Sequence, residues 1–404
     1  MAQRAAPRPL APAAPRPGTA AASRAWLLRT TALLPVALAS FGVHAQAPTG
    51  GQVVAGQAGI AQAGTQTTIT QTTDRAAINW QGFNIGAGNT VQFQQPNAGS
   101  WTLNRVVGPD PSVIAGRITA NGGVALVNQS GIVFTRGAQV DVGSLIATAP
   151  GITNENFMAG LMRFDQAARP GAQVRNDGRI TVMDRGIAVL AGPRVTNTGE
   201  IRARLGRVVL AGAEAFTLDL AGDGLISIDI TQAVRGGGAE VVTNEGLIEA
   251  NSGSVLLTAS AAGDLVEGLV RNTGTIRANT EAGQIGQVAL RGTGGGVEVA
   301  GRIEATGGSN QLGGRIAVQS NHSVRIATGA NLDASGGTGG GTVLVGTTGV
   351  GRNQTMARST TVERGAIIRA DATVLGQGGT IAINSTEATL VEGTLTARGG
   401  SQGG

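Results

Sequence analysis

Val174-Arg175-Asn176-Asp177-Gly178-Arg179-Ile180 returns as Val195-Thr196-Asn197-Thr198-Gly199-Glu200-Ile201. It returns again as Val242-Thr243-Asn244-Glu245-Gly246-Leu247-Ile248 and as Val270-Arg271-Asn272-Thr273-Gly274-Thr275-Ile276. The asparagines of this Val-x-Asn-x-Gly-x-Ile template are 21, 47 and 28 residues apart, the middle gap having the length of two repeats. Degenerate copies follow at 297–305, 324–334, 362–370 and 390–397. A second template, Gly-x-[Val/Ile]-x-[Leu/Val/Ile], is interleaved: Gly206–Leu210, Gly286–Leu290, Gly314–Val318, Gly341–Val345 and Gly379–Ile383. Repeats of this length mark a solenoid or an array. Within each repeat the apolar residues alternate at the period of a strand, with Arg, Glu and Thr between them, and no helical period occurs. Asn and Gly are read as corners because both tolerate positive φ, and asparagines stacked at equivalent corners can form amide ladders.

The architecture that satisfies this pattern is all-β: a right-handed parallel β-helix, one coil per repeat, each strand pairing with the coils above and below. Val174, Val195, Val242 and Val270 are expected in one inward stack. Coils about 4.8 Å apart give about ten coils, or a rod of roughly 50 Å, after the N-terminal region. A β-propeller needs four strands per blade and a longer, regular period. The stretches Leu218–Gly238 and Gly346–Arg358 break the repeat and read as lateral loops. The final Gly399–Gly404 has no capping pattern, and an uncapped solenoid exposes strand edges, so a truncated chain is expected.

Composition narrows the function. The chain has 404 residues, 66 of them Gly, and no Cys; every basic residue is Arg. Five of its 30 arginines precede residue 45, where there is no acid, so 25 face 25 acids in the remainder. A net charge of zero after the leader argues against nucleic acid as a partner. Without Cys there is no disulfide framework and no thiol chemistry. After residue 45 the sole histidine is His322, which leaves a His-based triad little material. No cluster has metal-ligand spacing, and Gly336–Gly341 lacks the Asp rhythm of calcium-binding glycine repeats. No catalytic residue, metal or cofactor is therefore assigned. Asp219, Asp223, Asp229 and Glu240 near the first excursion read as solvated loop charge.

Residues 1–45 read as a signal peptide with an extended n-region. The arginines, the short apolar run from Ala32 to Val43 and Val43-His44-Ala45 match its basic, apolar and small-x-small parts. Cleavage is expected between Ala45 and Gln46. The apolar run is too short to span a bilayer stably.

Between the leader and the repeats, three blocks occur in order. They are Ile78-Asn79-Trp80 with Phe83-Asn84-Ile85, then Asn104-Arg105-Val106, then Asn128-Gln129-Ser130-Gly131-Ile132 leading into Gly137–Gly143. Ile152–Phe157 closes the region. This series resembles the N-terminal secretion domain of filamentous-haemagglutinin-type exoproteins, the cargo of two-partner secretion. The third block departs from the family's Asn-Pro-Asn-Gly-Ile, with Gln129 and Ser130 in place of Pro-Asn.

The resemblance implies a β-helix capped at its N-terminus, with residues 46–165 as the secretion domain and 166–404 as the repeat tract. It also implies export to the bacterial surface through the periplasm and an outer-membrane β-barrel transporter whose periplasmic domains recognise the N-terminal domain. The recognition candidates are Asn79, Trp80, Phe83, Asn84, Asn104, Arg105, Asn128 and Gly131. Plainer roles stand beside these. Trp80, Phe83 and Phe93 can plug the end of the helix core, Asn104, Asn128 and Gly131 can form turns, and Arg105 can pair with an acid such as Asp110. The resulting function is an adhesin- or haemagglutinin-like exoprotein rather than an enzyme, with its surface ligand unassigned. The alternatives are a secreted β-helix enzyme acting on polysaccharide, and a stalk fragment of a contact-dependent inhibition toxin. Four Asn-x-Ser/Thr sequons begin at Asn128, Asn321, Asn353 and Asn384; frequent Asn, Ser and Thr produce such triplets by chance, and of the four Asn353, in the second excursion, best meets the exposure a sugar needs.

Overall fold

A computed structural model of the chain describes residues 46–219, 228–235, 240–262, 266–281, 283–349 and 356–403. The leader, Ala45 and the sequon at Asn353 lie outside the described residues, and Gln46 is the first of them.

The repeats wind into a parallel β-helix. One turn shows the path: Ile187–Gly192, Val195–Asn197 and Glu200–Arg202 occupy three different sheets, and Arg207–Gly212 then pairs in parallel with Ile187–Gly192. Repetition builds sheets of twelve, ten and thirteen strands, and they run past residue 165 without interruption. A parallel strand leaves its core face no alternative to burial, so β-branched residues recur at fixed heights. Val174, Val195, Val242 and Val270 pair in register in the ten-stranded sheet, each fully buried, as the template requires. Ile180, Ile201, Ile248 and Ile276 form the matching stack in the thirteen-stranded sheet.

The asparagines of the template follow. The Asn176 side-chain N–H donates to Asn197 at 2.8 Å, Asn197 to Asn244 at 2.7 Å and Asn244 to Asn272 at 2.7 Å, all inside the rod. A buried amide must keep partners on both sides, and the coil above and the coil below supply them.

Two expectations from the repeat are corrected. The 47-residue gap is one coil, since Asn197 and Asn244 are direct neighbours. The ten-stranded sheet accordingly holds eight strands, not about ten, from Val174 onward among the described residues. The template glycines are also not needed for positive φ, which neither they nor the template asparagines adopt. They are needed for closeness: a Cβ on Gly199 would lie 2.1 Å from the Gly178 carbonyl oxygen, and one on Gly246 would lie 2.1 Å from that of Gly199. The same holds at 2.2 Å for Gly274 against Gly246.

The end nearest the N-terminus is closed by reversing strand direction. Gln52–Ala55 pairs antiparallel with Arg75–Trp80, and Ala58–Ala63 pairs antiparallel with Gln66–Gln71. These two strands are the last in their sheets, so parallel stacking stops there. Beneath them Trp80 and Phe83 meet edge to face at 5.4 Å, with Phe93 also in the core. These aromatics fill the end of the rod.

The outer face of the twelve-stranded sheet departs from the simple inward-apolar pattern. Ala77, Leu103, Ala125, Ile146, Val189 and Val209 point away from the rod core yet are buried in a second cluster. Their cover is a three-stranded antiparallel sheet, Met162–Phe164, Ala215–Leu218 and Ile228–Gln232, with the short helix Asn154–Met158. Phe164 stacks on Phe216 at 4.8 Å within it. The excursion read as a lateral loop from Leu218 thus returns as a strand and folds back over the rod.

Candidate functional site

The three sequence blocks converge on the coils next to the cap, and the strand alternation sorts their residues into two sets. On Arg75–Trp80 and Trp101–Val106, Trp80 and Asn104 face inward while Asn79 and Arg105 face outward. Inside, the Trp80 indole N–H donates to the Asn104 side-chain oxygen at 3.0 Å. That bond supplies the partner a buried indole requires. Asn128 is also buried; its side-chain N–H bonds Ser112 Oγ and the Asp110 carbonyl, each at 3.0 Å, and its oxygen accepts the Ser130 N–H at 2.9 Å. Gly131 completes this turn at φ 107°, where an added Cβ would sit 2.7 Å from the Gln173 carbonyl oxygen. The turn that lacks the family's Pro-Asn is tied down by Ser130 and Arg169, both bonding the Pro109 carbonyl, at 2.6 and 2.7 Å. Asn84, half-buried, accepts the Val113 backbone N–H at 2.7 Å.

Outside, Arg105 acts as a latch. Its guanidinium donates to Asn79 Oδ1 at 3.1 Å, to Asn154 Oδ1 at 2.9 Å and to the Ile152 carbonyl at 2.5 Å. Asp110 is exposed and makes no ion pair with Arg105, so the simple surface pair is replaced by a clamp on the cover. Burial pulls the Arg105 pKa down, with Glu155 opposing, yet an arginine so shifted stays charged. Arg75, one coil away, stands over the Phe157 ring at 5.4 Å and donates to its carbonyl at 3.2 Å. Thr153 caps the other end of the helix by accepting the Asn156 N–H at 3.1 Å. Two arginines from one sheet face thus hold the segment Ile152–Phe157, which the sequence identified only as a closing block.

Of the eight recognition candidates, Trp80, Phe83, Asn104, Asn128 and Gly131 lie inside the folded rod; Asn79, Asn84 and Arg105 are partly exposed. A further polar group under the cap went unnoticed in the sequence. Gln95 donates to Thr102 Oγ1 at 3.0 Å, and Thr102 donates to Gln71 Oε1 at 2.6 Å, all three buried. Gln and Thr are common on exposed strand faces, so only the cap's closure reveals them as interior.

The chain as a whole has known counterparts. The sequence model described as the TPS secretion domain matches residues 45–305. The chain belongs to the TPS secretion-domain family. It is the secretion domain of a two-partner exoprotein, and such exoproteins leave the cell through an outer-membrane transporter. The TPS secretion domain here is 37% identical over 222 residues to a heme/hemopexin-binding protein of Haemophilus influenzae strain Rd, covering 52% of this chain and 23% of that protein. A second heme/hemopexin-binding protein of Haemophilus influenzae is 32% identical over 246 residues, covering 55% of this chain and 26% of its own length. The chain thus matches about a quarter of each of these curated relatives. The HMW1 secretion domain from Haemophilus influenzae superposes with a TM-score of 0.71 at 26% identity, covering 86% of this chain and all of that one.

Proposed function

We propose that residues 46–165 carry the signal read by the periplasmic domains of the outer-membrane transporter, and that they present it unfolded. The burial of Trp80, Phe83, Asn104, Asn128 and Gly131 carries this reading. A transporter that reads those side chains meets them before the coils stack; once outside, stacking hides them and opposes return. The Cys-free sequence suits threading, because no disulfide can close a loop in the oxidising periplasm. On this reading the exported product is an adhesin- or haemagglutinin-like exoprotein at the cell surface, structural rather than enzymatic, as its family membership supports.

Two measurements test the proposal. Deleting Ile78–Phe164 behind an intact leader should trap the chain in the periplasm; undiminished surface export would refute it. The periplasmic domains of the partner outer-membrane transporter should bind the chain freshly diluted from urea and release it on folding. Equal binding to the folded chain would overturn recognition before folding.

A further inference from the structure

Beyond the cover, the outer face of the twelve-stranded sheet opens as a groove of about 630 Å³ between Ile228 and the coil edge at Asn321. Its floor is a row of small or aliphatic side chains, Leu256, Ala289 and Ala317, one per coil. Polar rows stand on either side. Gln287 and Arg315 are register neighbours in one, and Arg291 and Gln319 are neighbours in the other. Arg291 and Arg315 are exposed, and neither makes an ion pair or side-chain hydrogen bond among the described residues. Several arginines elsewhere on the rod pair with acids: Arg325 bridges Glu298 and Glu363, and Arg277 meets Glu304. No carboxylate lines the groove among the described residues. Asp229 on the rim strand is exposed, while its neighbours Ile228 and Ile230 pack toward the second cluster.

We propose that this groove binds an acidic saccharide chain, one that carries uronate carboxylates or sulfates. The two guanidiniums lie diagonally across the floor, four residues and one coil apart, so about 14 Å separates their Cα atoms. Each presents a planar fork suited to a carboxylate or sulfate. The apolar row between them offers a surface for the faces of sugar rings, and the Gln287 and Gln319 amides offer donors and acceptors for hydroxyls. An acidic peptide would satisfy the arginines but leave the amide rows and the ring-sized floor unused. The site belongs to the folded rod and stands or falls independently of how the chain is exported.

The test uses the full chain, folded, in binding titrations at low salt against four probes. They are a heparin oligosaccharide, an oligogalacturonate, neutral dextran and poly-glutamate. The first two should bind and dextran should not, with binding weakening as salt rises. Arg291→Gln with Arg315→Gln should reduce affinity for the acidic glycans at least tenfold. Arg185→Gln with Arg194→Gln, an equal charge loss at exposed arginines outside the groove, should leave it within twofold. Ala289→Glu, which places a like charge on the floor, should abolish it. Equal losses in both double variants would mean non-specific charge attraction and overturn the site. Tighter binding of poly-glutamate than of either glycan would overturn the ligand class, and so would dextran binding that survives the groove variants.

Discussion

The Asn197 side chain reaches Asn244 across 47 residues of sequence at 2.7 Å, the same distance that separates Asn244 from Asn272 only 28 residues further on. The hydrogen bond ignores the intervening hairpin because that hairpin leaves the coil and returns at the same height. The ladder therefore sets the register of the coils, and the lengths of the excursions do not.

Asn244→Leu should destabilise the rod by about 2–4 kcal/mol. It strands the Asn197 donor and the Asn272 acceptor, and a buried unsatisfied polar group costs ~1–3 kcal/mol. Equilibrium urea unfolding of the wild-type and variant chains measures the difference. A loss below about 0.5 kcal/mol would show that the ladder contributes little beyond its shape.

Gly246→Ala should cost about 1–3 kcal/mol, as overpacking does, because the new methyl must occupy space 2.1 Å from the Gly199 carbonyl oxygen. Gly59→Ala, where no atom lies within 4 Å, serves as the comparison and should be close to neutral. If the two variants unfold at the same denaturant concentration, close coil stacking is not what selects the template glycine.

Arg105→Met should loosen the segment Ile152–Phe157 and leave the rod intact. Three hydrogen bonds are lost at once, and the unsatisfied Asn79 and Asn154 amides can turn to water. Limited proteolysis should then cut between residues 150 and 168 several-fold faster, while far-UV circular dichroism stays unchanged. An unaltered cleavage rate would locate the hold on the cover in Arg75 and the apolar contacts instead.

Val270→Asp should prevent stable folding of the coils around it, since a buried unpaired carboxylate costs several kcal/mol. Thr196→Asp, on the outward face of another strand of the same sheet, should be tolerated within about 0.5 kcal/mol. Similar losses at both positions would contradict the assigned alternation.

The sequence by itself determined the coil. A template of Val, Asn, Gly and Ile at fixed offsets states which residues face inward, which stack and which carry the amide ladder, because in a parallel solenoid each coil meets only its own copies. That local rule is why the valine stack and the asparagine ladder could be read from the spacing. Tertiary structure alone decided what lies across the rod. The second apolar face of the twelve-stranded sheet is invisible in the alternation, since Leu103 or Val209 at an outward position carries no sign of what covers it. Its partners, Phe157, Phe164 and Phe216, arrive from segments outside the repeat. The role of Arg105 belongs here too. Its clamp on Ile152 and Asn154 joins residues 47 and 49 positions apart, a distance no periodicity encodes. Repeats announce themselves because identical neighbours impose identical demands, whereas a cover seated once on one face leaves only isolated aromatics and an arginine, each with many other possible uses in the chain.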